Sequence, residues 1–331
     1  MIIDEMLAQP QAITWLPWAV QYFFFIGIAS CAVLLACAAR WLRHRHSERF
    51  ERVCLFIALT CGITAPLALT ADLHQTARFW HFYAWPTPWS WMPWGALFLP
   101  LFTLLLGLWF LLFHLRKSNT RLLRGLALAA ALTAIGLLLY TGREVSVVRA
   151  RPVWFSYWLP VAMFFSAMSA LLALLGLVMR DLARRLAQGQ VMALVLLGAV
   201  MLAWSLGDTL SGEALRQQWL LGGDIRLYLL TLMLLWAAAL TVSLYASRYQ
   251  PPFFITLASA LLVAILCWTL RWAVLMGGQI IPKYNALTND YSLPMGTDGL
   301  LAIIGTFGLW LALMIILGEC VTWLSRRYQH A

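Results

Sequence analysis

Apolar residues arrive in this chain in long unbroken blocks, without the alternation of a half-buried strand. Nine blocks stand out, at 17–39, 54–73, 93–115, 122–141, 154–179, 190–209, 226–247, 253–276 and 299–324. Each holds roughly the 20 residues that a helix needs to cross a hydrocarbon core of about 30 Å. Only helices and closed barrels satisfy their own backbone groups in lipid, and blocks of this length read as helices. Pro66, Pro100 and Pro160 fall inside blocks and mark kinks that neighbouring helices absorb. No repeat or low-complexity linker separates the blocks. The pattern predicts an all-α polytopic membrane bundle of about nine transmembrane helices, a single domain over residues 1–331.

Composition narrows the class. Hydrophobic residues make up 63% of the 331 and charged residues 11%, against about 45–50% and ~25% in soluble domains. A soluble enzyme, a secreted disulfide scaffold and a disordered chain are excluded. The opening MIIDE has no basic region, and no short apolar stretch ends in a small-residue cleavage site, so a cleaved signal peptide is not expected.

The net charge of +10 could suggest nucleic acid, but its pattern says otherwise. Segments 40–53, 116–124, 180–189, 248–252 and the C-terminal tail hold 15 of the 23 Lys and Arg. The N-terminus and segments 74–92, 142–153, 210–226 and 277–298 hold 7, and Arg271 lies within the eighth block. Basic residues accumulate on the cytoplasmic side of membrane proteins, which predicts an outside N-terminus and a cytoplasmic C-terminus. Glu48, Glu51, Asp181 and Glu319 fall on the cytoplasmic side, and the other nine of 13 acidic residues fall at or near the outer face.

The outer segments differ in kind from the short basic connections. Residues 74–94, HQTARFWHFYAWPTPWSWMPW, carry Trp80, Trp85, Trp89, Trp91 and Trp94 with three prolines. An interfacial aromatic belt accounts for single rings. Rings and prolines at this density also suit a rigid platform for a protein partner, with Arg151 on the same face.

Ionisable and amide groups gather at the same helix ends: Gln21 and Tyr22 in the first block, Asp72 and His74 at the second, Tyr140, Arg143 and Glu144 at the fourth, Asp208 at the sixth and Arg271 in the eighth. Charges at membrane depth are costly and face a bundle interior, a cavity or each other. Asp72 paired with Arg143 or Arg271 is the plain structural alternative. A transporter or channel should carry polar groups at mid-depth and inverted repeats; TGREV and SGEAL are faintly alike, but no convincing halves emerge. A site confined to the outer leaflet suits a lipid-soluble substrate such as a quinol, which needs partners for two oxygens and a carboxylate, His or Tyr route for protons. A mere tether for an outer enzyme is the third reading.

The six histidines, 44, 46, 74, 81, 114 and 330, offer no pair at one depth on facing helices, so no haem is expected. The six cysteines are scattered without a C-x-x-C and read as packing residues, so neither an iron–sulfur cluster nor another metal is expected. No nucleotide fingerprint is present. Electrons taken from a quinol would have to leave directly to a cluster on an outside partner.

The stretches WAVQYFFFIGIA, ALTADLHQTARFWHF with SWMPWGALFL, YTG at 140–142 and RPVWFSYWLPVAMFFSA make the sequence similar to the NrfD/polysulfide-reductase family of quinone-interacting membrane subunits over nearly its whole length. The resemblance implies a haem-free anchor that oxidises menaquinol or ubiquinol. It also implies a ferredoxin-like iron–sulfur subunit and a molybdopterin subunit on the outer face. Carried over by motif, it favours Asp72 in ADL and Tyr140 in YTG as quinol residues. A first-helix His used by some relatives is replaced here by Gln21-Tyr22.

Overall fold

The computed structural model describes residues 13–42, 47–115, 120–221, 224–280 and 291–329. Asp4 and Glu5, the histidines 44, 46 and 330, and the connections 43–46, 116–119 and 281–290 lie outside the described residues. Twelve helices follow in order: α1 (Pro17–Leu42), α2 (Ser47–Asp72), α3 (His81–Ala84), α4 (Met92–Leu115), α5 (Thr120–Ser146), α6 (Trp158–Val178), α7 (Ala183–Leu206), α8 (Leu210–Leu221), α9 (Asp224–Arg248), α10 (Phe253–Trp272), α11 (Gly278–Ile280) and α12 (Leu300–Gln329). Among the described residues there is no strand, and nine helices are long and apolar enough to cross a membrane. The protein is a multi-pass helical membrane protein.

Several helices outrun the apolar blocks that predict them, and two of these extensions carry charged residues into the bundle. α2 begins at Ser47 rather than near 54, because Glu51 is buried in an ion pair with Arg40 of α1 at 2.6 Å and accepts a hydrogen bond from Trp109 Nε1 at 3.1 Å. α5 runs on to Ser146, which puts Arg143 and Glu144 on its last turns instead of in a loop. A satisfied charge is tolerated at a helix end, and hydropathy cannot see the partner.

The spans pack as two four-helix groups. α1, α2, α4 and α5 form one and α6, α7, α9 and α10 the other, joined by α1 and α5 against α6 and α10. α12 lies outside, against α2, α1 and α4. α1 is apolar all round and is the inner helix, with 78% of its span buried; in α12 only 11% is, which leaves that helix to face lipid. Arg271 of α10 bridges the groups. It donates to Phe23 O on α1 at 2.9 Å, and to Ser166 Oγ and Met163 O on α6 at 3.1 Å each.

Segments 13–16, 73–91, 147–157 and 291–299 collect at one end of the bundle, the loop-rich end. At the opposite, basic end α1, α4, α6, α9 and α12 finish.

Candidate functional site

A cavity of about 300 Å³ opens at the loop-rich end, between the groups, with Trp15, Trp91, Trp154, Glu144, Arg151 and Gln279 in its wall. Its far wall depends on a break in α10. Residues Ala273–Gly277 form a π-turn, a distortion that frees backbone carbonyls and is frequent at functional sites. Trp154 Nε1 donates to one of these, Val274 O, at 2.6 Å, and a side chain at Gly278 would strike the same indole. Gln279 then reaches the segment before α1. Its Oε1 accepts from Thr14 N and Trp15 N at 3.0 Å each, and its Nε2 donates to Trp15 O and Leu275 O at 3.0 Å. Trp15 is thereby set 5.5 Å from the Trp154 ring. Arg151 lies over Trp154 at 5.3 Å and donates to Gly278 O and Gln279 O. Burial pulls its pKa below the ordinary arginine value. The product is an aromatic chamber with one carboxylate and one guanidinium in its wall.

Behind Glu144 stands a buried polar cluster. Tyr140 lies one helical turn away on the same face of α5, within interaction range of the Glu144 carboxylate. Tyr22 of α1 and Asp72 of α2 also interact electrostatically with Glu144. Tyr140 fits because Gly95 of α4 has no side chain; a Cβ there would collide with the ring. Asp72 also holds the entrance to α1, where its Oδ1 accepts from Leu16 N at 3.0 Å. A carboxylate there satisfies an orphan N–H and complements the helix dipole. No ion pair joins Asp72 to Arg143 or Arg271 among the described residues. The Gln21 amide and the Tyr22 hydroxyl are fully buried without a hydrogen-bond partner among the described residues. Such groups call for water or a ligand.

The remaining candidates scatter. His74 is exposed beside Asp72. Arg143 points away from the carboxylates, over Tyr157 at 4.7 Å and Trp91 at 5.8 Å, and donates to Ser146 Oγ. Arg271 is buried deeper, on neutral acceptors that include Cys267 O and Sγ, beside Gly27 of α1. Asp208 is exposed in the turn before α8. Trp80, Trp85 and Trp89 are exposed, the last at 86%, with His81 between the first two rings. Trp94 stacks on Phe98 and donates to Pro88 O at 3.1 Å. Trp91 and Arg151, read from sequence as docking residues, line the cavity.

Trp15, Trp154 and Gln279 were not singled out by the sequence. The signals for them are slight: a Trp directly before the first block, the Trp of RPVW and a lone amide after GG at the end of the eighth. Among the described residues no three His, Cys, Asp or Glu side chains gather as metal ligands.

A family model described as "Polysulphide reductase, NrfD" matches residues 5–283. The chain is similar to a tetrathionate reductase subunit of Salmonella typhimurium, with 54% identity over 336 residues that cover all of this chain and 98% of that protein. It is also similar to a selenate reductase subunit of Mesobacillus selenatarsenatis, with 25% identity over 193 residues, 47% of this chain and 45% of that one.

Proposed function

The chain belongs to the polysulphide reductase, NrfD, family, and from that premise we propose that it oxidises membrane quinol in the cavity at its loop-rich end. The single observation that carries this reading is the aromatic chamber with Glu144 in its wall and the Tyr140–Tyr22–Asp72 cluster behind it. About 300 Å³ lies at the small end of the range for ligand pockets and accommodates an aromatic head group. Trp15, Trp91 and Trp154 offer ring faces to it. Oxidation of one quinol releases two electrons and two protons. Glu144 accepts a proton from a quinol hydroxyl, and Arg151 stabilises the negative charge that grows on the ring oxygen.

The relatives are named as subunits of reductases, which supports a reductase complex around this chain. In our reading the loop-rich end faces outside the bacterial inner membrane, following the charge bias. Trp80, Trp85 and Trp89 anchor a ferredoxin-like iron–sulfur subunit, which takes the electrons on to a molybdopterin subunit. Tetrathionate is the acceptor we favour, from the full-length similarity and from the runs TADLHQTARFWHFYAWPTPWSWMPWGALFLPLF and TDGLLAIIGTFGLW. Polysulfide, thiosulfate or selenate reduction would leave the role of the membrane subunit unchanged, since the acceptor binds another chain.

The test is quinol oxidation by the assembled complex. Tyr140→Phe and Asp72→Asn should lower the rate while assembly survives; wild-type rates in both would remove the site from this cluster. Quinol protons released outside are consumed there by the reductase, so turnover in proteoliposomes should generate no membrane potential. A turnover-linked potential would overturn that arrangement.

A further inference from the structure

At the basic end, the ends of α1, α2, α4 and α5 bring together cations and aromatic rings. Arg40 and Arg52 stand over Phe113 at 5.5 and 5.9 Å, and each has a carboxylate, Glu51 and Glu48. Arg124 of α5 does not. Its guanidinium covers the Trp41 ring at 5.6 Å, no carboxylate pairs with it among the described residues, and its Nε is screened from solvent without an acceptor. His114, near the end of α4, is the complementary case. Its Nδ1 lies 2.8 Å from Phe110 O, which places the ring proton on Nδ1 and leaves Nε2 as a lone-pair acceptor. Nε2 is buried and unpaired.

A buried guanidinium N–H without an acceptor and a buried imidazole nitrogen without a donor among the described residues are both disfavoured unless a further group completes them. Trp41 and Leu42 at the end of α1 and Leu122 near the start of α5 are each about half exposed or more, an apolar surface at the same end of the bundle. Among the described residues, Arg40, Arg49, Arg52, Arg121 and Arg124 stand at these helix ends against Glu48 and Glu51. Basic clefts between transmembrane helices recruit anionic headgroups.

We propose that this basic, aromatic end of the bundle binds an anionic glycerophospholipid. The phosphodiester accepts from Arg124, a headgroup hydroxyl donates to His114 Nε2, and the acyl chains run along Trp41, Leu42 and Leu122. A glycerol headgroup supplies the hydroxyl and a net negative charge; a choline headgroup supplies neither. The proposal is independent of the quinol reading, because it concerns the opposite end of the bundle.

The experiment is thermal unfolding of the purified full-length chain in detergent, titrated with phosphatidylglycerol, phosphatidylcholine or inorganic phosphate. Phosphatidylglycerol should raise the melting temperature by several degrees, and the other two should not. Arg124→Gln should raise the phosphatidylglycerol concentration for half the shift about tenfold, and His114→Ala a few-fold. Arg185→Gln, an exposed charge elsewhere at the same end, should leave it unchanged. An equal shift from phosphatidylcholine, or one reproduced by inorganic phosphate, would overturn the lipid assignment. An unchanged titration in Arg124→Gln, or an equal loss in Arg185→Gln, would overturn the site. If Arg124→Gln does not fold, the wild-type titrations and His114→Ala decide.

Discussion

The two four-helix groups have similar lengths and hydropathy but bury different chemistry. In the group of α1, α2, α4 and α5, the polar interior holds Tyr22, Tyr140, Glu51 and the flank of Glu144. In the group of α6, α7, α9 and α10 it holds Gln190, whose Nε2 donates to Ser243 Oγ and Ser259 Oγ at 2.8 Å each. Arg271, the charge that the second group contributes, bonds to α6 within that group and reaches across it to Phe23 O of α1. Neutral amide and hydroxyl networks hold membrane helices together at modest cost. Carboxylates and phenols in the interior are expensive and persist where protons must move. If the proposed quinol site is right, the contrast places the chemistry with the first group and support with the second.

The sharpest way to break that contrast is Glu144→Gln. It keeps shape and hydrogen bonding but removes the proton acceptor, and general-base losses run to about 100-fold or more. Quinol oxidation by the assembled complex should fall by that order, with unchanged assembly on a native gel. A loss below about threefold would move the proton acceptor elsewhere.

The spans were legible because hydropathy over 20 residues needs no knowledge of partners. Their ends were less so. Glu51 reads as a loop residue until Arg40 and Trp109 are known to face it. Asp72 was legible as a carboxylate at a helix end, but its capping of α1 depends on two distant segments meeting at Leu16. The cavity was the least legible part. Gln279 and Trp15 are 264 residues apart in sequence, and neither segment carries a local pattern that announces the other. The clustering of ionisable residues pointed to the loop-rich end of the bundle, where the cavity lies, while the walls of the chamber come from tertiary packing.

A smaller effect should follow from Gly95→Ala. The added methyl occupies the place of the Tyr140 ring, and overpacking of this kind costs about 1–3 kcal/mol. Displacing the phenol from Glu144 should cut quinol oxidation roughly tenfold by that energy scale. Gly107→Ala on the same helix is the control, since nothing lies within 4 Å of its Cβ position. Equal rates in both variants would show that the position of Tyr140 is irrelevant to turnover.

The smallest effect tests the supporting group. Gln190→Leu removes the two bonds to Ser243 and Ser259, while Ser243 keeps its bond to Ala239 O at 2.5 Å. Hydrogen bonds between membrane helices average about 0.6 kcal/mol, so the loss should be about 1 kcal/mol of stability. Thermal unfolding should register a small drop, and the quinol oxidation rate of the assembled complex should not change. The neighbouring cavity of about 10 Å³, lined by Gln190, Thr256 and Ser259, has room for little more than one water, too small for a substrate. A fall in the rate without a fall in stability would bring the second group into the chemistry and end the division of labour drawn above.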